Sequence, residues 1–125
     1  TLLISKGLIL KLHNEAQLTF VLAHECAHDL MDHRKNRDSE NRANMEFEAD
    51  RLGMALAIRA GYDPYSAINA LYYAHAGVQY FGNSPSVDER VIKIRRFITS
   101  TGWMPPGISD RRDFREMRNL LRNVK

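Results

Sequence analysis

Residues 21–30 read VLAHECAHDL, and no other stretch limits the fold so tightly. His24 and His28 stand four apart, with Glu25 directly after the first. On an α-helix, positions i and i+4 lie one turn apart on one face, so both imidazoles can aim at a single point. Zinc takes neutral imidazole nitrogens at about 2.0–2.1 Å in tetrahedral sites. Glu25 is placed to reach a water rather than the ion, which is the metallopeptidase arrangement: two histidines on zinc and a glutamate as general base. A core helix with two satisfied histidines would show the same spacing. A catalytic zinc, however, needs one more protein ligand. Where that donor lies decides the class.

The elongated zinc motif would need glycine at 31 and histidine at 34, and the chain has Met31 and Arg34. The next candidates come in EFEAD, residues 46–50. Glu46 and Asp50 are again four apart and share a helix face, whereas Glu48 turns about 200° away from Glu46. One carboxylate of the pair can bind the metal. The other can accept a hydrogen bond from a zinc-bound histidine and fix its tautomer.

HECAH followed by EFEADRLG and AGYDP resembles the gluzincin metallopeptidases of the HtpX and CAAX-prenyl-endopeptidase family, most of all their soluble cell-envelope members. The likeness runs from about Ile4 to about Arg96. It implies one zinc per chain on His24, His28 and Glu46, with Glu25 as base and Asp50 as the carboxylate behind a zinc-bound histidine. It further implies a zincin-like fold, protein or peptide substrates, work in protein quality control and a place in the cell envelope. The family usually carries a histidine-proline pair followed by an arginine, and this chain has Ser84, Pro85 and Arg90. By motif position Arg90 is the candidate for holding the tetrahedral oxyanion; the alternative is a surface ion pair with Asp88 or Glu89. Ser84 motivates the rival function, a zinc-binding, chaperone-like or latent module with little turnover.

The expected fold is α+β and mostly helical. A short strand over TLLIS precedes a helix capped by Asn14, with Gln17 three residues on and an inward stripe of Leu18, Val21, Leu22, Cys26 and Leu30. The polar stretch 34–44 reads as a loop or frayed helix. A second helix, bearing the glutamate pair, runs from Met45 and closes at Gly61. A third starts behind Asp63-Pro64 and continues through YYAHAG. A fourth opens at Ser86 with Glu89, TGWMPPGIS is a stiff connector, and Phe114, Met117, Leu121 and Val124 stripe a terminal helix. Tyr72, Tyr73 and Tyr80 fit core packing at helical spacing, and His75 suits either the cleft or helix packing. His13 reads as a surface residue, and His33 is wrongly phased to join the site.

At 125 residues the chain suits one domain. Residues 1–104 form the expected peptidase domain, and 105–125 form a linker and basic helix, either part of it or a docking extension. Thr1 suggests a mature or excised piece. No apolar run approaches the roughly 20 residues of a membrane span. The single cysteine, Cys26, rules out an intrachain disulfide and reads as a small core side chain. Charge is concentrated: residues 111–125 hold six basic groups against two acids, a net of +4 within a total of +3, so the rest sums to −1. Phe114, the one aromatic among these residues, belongs to the apolar stripe, so this is no nucleic-acid surface. It is a solvated face, or a docking face for an acidic partner or anionic headgroups.

Overall fold

Helices carry all the regular structure in the computed structural model, which describes residues 4–31, 42–74 and 86–124. In order they are α1 (Lys6–Lys11), α2 (Glu15–Leu30), α3 (Arg42–Arg59), α4 (Pro64–Ala67), α5 (Ala70–Ala74), α6 (Val87–Thr101) and α7 (Arg112–Arg122). The expected strand is not found among the described residues. Thr1, Leu2 and Leu3 lie outside them, and Ser5 instead caps α1, its Oγ accepting from the Leu8 N–H at 3.0 Å. A hydroxyl cap satisfies the free N–H groups of a first turn, whereas a lone strand needs a neighbour. One isolated parallel bridge, Tyr62 to Ile108, is the pairing seen outside the helices.

α2 starts as its sequence predicts. Asn14 Oδ1 accepts from the Gln17 N–H at 2.9 Å, and Gln17 Oε1 reaches back to the His13 N–H at 2.8 Å. The inward face differs from the expected stripe. Ala16, Phe20 and Ala27 are the buried apolar residues of this helix, Leu18, Val21, Leu22 and Cys26 are half-buried, and Leu30 is 70% exposed. Small side chains let two helix backbones approach, so the alanines rather than the leucines mark the contact line. Against that line lies α3, the partner of α2 in the most extensive helix contact. Gly53 allows the closest approach: a Cβ there would stand 2.9 Å from the His24 backbone nitrogen and 3.0 Å from its Cα. Glycine at that position therefore sets how near α3 can come to the first histidine.

Residues 42–44 are helical, so the start of α3 reaches back into the polar stretch; residues 34–41 lie outside the described set. Gly61, at φ +95°, follows α3 in the left-handed conformation that favours glycine. Asp63 caps α4, its Oδ1 accepting from the Tyr65 and Ser66 N–H groups, with Pro64 in the first helical position. The single helix expected here is two. At Ile68 and Asn69 the ladder shortens, Leu71 N–H bonding to Ile68 O and Tyr72 N–H to Asn69 O, three residues back instead of four. Ser86 caps α6, and Gly102 ends it at φ +70°.

The core joins Leu12 and Phe20 to Met54 of α3, Ile68, Leu71 and the α6 residues Val91, Ile94 and Ile98. The C-terminal segment crosses the start of α2. Ser109 O accepts from the Ala16 N–H, while Ile108 and residues 61–63 exchange two backbone bonds at 2.9 Å. Of the α7 stripe, Phe114 is buried, Met117 and Leu121 are half-buried, and Val124 lies past the helix end, 57% exposed. The arginines here have partners within the chain. Arg111 pairs with Glu15, Arg112 with Glu116 and Arg115 with Asp110, and Arg118 donates to the carbonyls of Leu10 and His13.

Candidate metal centre

His24 and His28 leave the same face of α2 one turn apart, and Glu46 meets them from α3 across the Gly53 contact. Nε2 of His24 and Nε2 of His28 are 3.0 Å apart. The two carboxylate oxygens of Glu46 lie 3.3 Å from His24 Nε2 and 3.2 Å from His28 Nε2. Ligands about 2.0–2.1 Å from a tetrahedral zinc stand roughly 3.3 Å from one another. Each of these distances lies near that spacing, with one Glu46 oxygen facing each histidine. Glu46 Oε2 is buried with no hydrogen-bond partner, an orphaned acceptor facing the histidines. Residues and geometry together fit a divalent cation.

Asp50, one turn beyond Glu46, is buried behind the trio. Its Oδ1 lies 2.9 Å from Nδ1 of His24, in ion-pair range but off hydrogen-bond alignment, which leaves Nδ1 without a hydrogen-bond partner. The same carboxylate takes Arg90 from α6 in a fork: Nε on Oδ2 and Nη2 on Oδ1, each at 2.7 Å. Arg90 Nη2 also comes within 3.4 Å of Glu46 Oε2. Arg90 is 2% exposed, so it makes no surface pair with Asp88 or Glu89. Its Nε and Nη2 are both directed at Asp50.

Burial works against charge on His24, yet the Asp50 and Glu46 carboxylates outweigh it and push the imidazole pKa up to about 9. Burial likewise works against the Glu46 anion, but the adjacent His24 and His28 imidazoles, with Arg90 behind them, hold its carboxyl far below the usual range. A pocket that keeps Glu46 ionised and favours positive charge beside it suits a metal ion in place of that proton.

Glu25 follows His24 on α2 and is half-buried. Glu48 is exposed, on the side of α3 away from the trio. Tyr72 is 47% exposed, and Tyr73 stacks on the exposed His13 at 4.4 Å. His33, His75, Tyr80, Ser84 and Pro85 lie outside the described residues. Two contributors escaped the sequence reading. The Asp50–Arg90 fork spans 40 residues, and motif position had suggested another task for the arginine. Gly53 had no signal beyond its phase, one turn after Ala49 and on the side of α3 that meets α2.

Residues 1–42 match the model of Peptidase family M48. The matched segment holds His24, Glu25 and His28 and stops short of Glu46. It supports a relationship to M48 metallopeptidases for those 42 of the 125 residues, and of the three donors only Glu46 lies beyond it. No curated protein and no solved structure matches the chain.

Proposed function

We propose that the chain is a zinc-dependent endopeptidase that hydrolyses peptide bonds of protein substrates, with one zinc on His24, His28 and Glu46. We place it with the gluzincins of the HtpX and CAAX-prenyl-endopeptidase family, akin to soluble cell-envelope members that serve protein quality control. The observation that carries this reading is the convergence of three donors at 3.0–3.3 Å from two helices, with a glutamate next to the first histidine.

Zinc, when bound there, supplies a Lewis acid for the scissile carbonyl and lowers the pKa of water. Glu25 takes a proton from the attacking water and passes it to the leaving amine. Asp50, 2.9 Å from Nδ1 of His24, is the carboxylate that would orient the ring so that Nε2 faces the metal position. Arg90 is a positioning residue, fixing Asp50 through its fork and keeping Glu46 ionised through Nη2. No helix among the described residues is long and apolar enough to cross a membrane.

Glu25→Gln keeps the shape and removes the base. It should retain zinc and lose about 10²–10⁴-fold in cleavage of an unstructured protein such as casein. Metal analysis of Glu46→Ala should show most of the zinc gone, and Glu48→Ala should keep it. A zinc-loaded wild type without chelator-sensitive cleavage of any peptide library defeats the reading.

A further inference from the structure

Behind the metal centre, on the other side of the Asp50–Arg90 fork, α3 and α6 enclose a cavity of about 400 Å³. That is the scale of a specific ligand pocket. Asp50 and Arg90 line it, together with Phe47 of α3 and Phe97 of α6. Three exposed cations, Arg51, Lys93 and Arg96, contribute to the lining against one exposed acid, Glu48. Two of them are held over the rings: Lys93 Nζ is 4.4 Å from the Phe47 centroid, and the Arg51 guanidinium is 5.3 Å from that of Phe97. None of the three forms an ion pair with a described residue, in contrast to the paired arginines near α7. A second cavity of about 390 Å³ shares Glu48, Arg51 and Phe97 and continues past Ala55 to Met31 at the end of α2. The two adjoin along Glu48, Arg51 and Phe97.

We propose that this groove binds a short acidic peptide segment in extended conformation, with carboxylates on Arg51, Lys93 and Arg96 and apolar side chains against Phe47 and Phe97. Length supports a peptide: from residue 47 to 55 α3 rises about 12 Å at 1.5 Å per residue, which three to four extended residues span at about 3.3 Å each. Shape argues against a lipid surface, because a flat bilayer does not enter a groove between helices. The groove meets the metal centre through Asp50 and Arg90, yet its occupancy does not depend on the peptidase reading.

The test is fluorescence anisotropy on zinc-loaded Glu25→Gln protein, a background in which the probe stays intact. The probes are dye-labelled six-residue peptides alternating glutamate with leucine, and the same peptides with lysine for glutamate. The acidic peptide should bind, the basic one should not, and added salt should weaken the complex. The double variant Arg51→Glu/Lys93→Glu should weaken it by about tenfold or more with helicity and zinc content unchanged. If charge reversal disturbs the fold, Arg51→Gln/Lys93→Gln serves the same purpose. Equal binding of both peptides, or an unchanged Kd in a folded variant, overturns the proposal. So does binding of phosphatidylglycerol vesicles without binding of the acidic peptide.

Discussion

Two carboxylate–arginine pairs hold this chain together, and they sit in opposite surroundings. Asp50–Arg90 joins α3 to α6 with both side chains at 3% exposure or less. Glu15–Arg111 ties the start of α2 to the C-terminal segment; its acid is buried at 7%, but its arginine side chain is 61% exposed. Tyr62 OH donates to the same Glu15 oxygen that Arg111 holds. In the first pair neither partner can turn to water if the other is lost. In the second, the arginine can. A buried pair is weak evidence for stability in itself, since desolvation offsets attraction, but breaking one is costly. The dry pair thus fixes the geometry of a site, and the wet pair fastens an edge.

The largest effect should come from Arg90→Met, which leaves the buried Asp50 and the half-buried Glu46 without their cation. A loss of about 3–5 kcal/mol is expected by chemical denaturation, with most of it regained in Asp50→Leu/Arg90→Met. If the single variant is as stable as wild type, the contrast between the pairs collapses. Next comes Gly53→Ala, because a methyl group would press on the His24 backbone. Overpacking of that kind costs about 1–3 kcal/mol, and zinc affinity should fall while the secondary structure stays. The control Gly7→Ala, whose added Cβ meets only Ser5 Oγ at 3.9 Å, should leave zinc binding alone.

Smallest is Glu15→Gln, expected to cost less than Arg90→Met because Arg111 rehydrates. Its sharper readout is pH. The Arg111 guanidinium, against the opposing effect of burial and with help from Tyr62, holds the Glu15 carboxyl below the usual carboxylate range. A depressed folded pKa means stability that is present above the unfolded value and lost as pH falls through the folded one. Between about pH 5 and 3 the wild type should therefore lose stability more steeply than Glu15→Gln. Parallel curves would show that the wet pair contributes nothing measurable.

What could be read in advance followed from local periodicity. His24, His28, Glu46 and Asp50 form two i,i+4 pairs, so each helix presents its own half of the centre before any tertiary contact is known. Caps at Asn14, Asp63 and Ser86 are equally local, and the bonds are present. The inward face of α2 departs from its hydrophobic stripe because hydrophobicity weights Leu22 and Leu30 above Ala16 and Ala27, while close helix packing selects small residues. The break at Ile68 has no proline or glycine to announce it. Arg90 and Arg111 find their acids 40 and 96 residues away, beyond the reach of any spacing rule.

The distance along the chain between Asp50 and Arg90 also has a temporal side. Translation adds about 5–20 residues per second, so the arginine leaves the ribosome seconds after both helices that carry the trio. Throughout that interval Asp50 and Glu46 lack the guanidinium that faces them in the finished fold. α2 and α3 should dock loosely at first, and the arrival of α6 should tighten them into their final register.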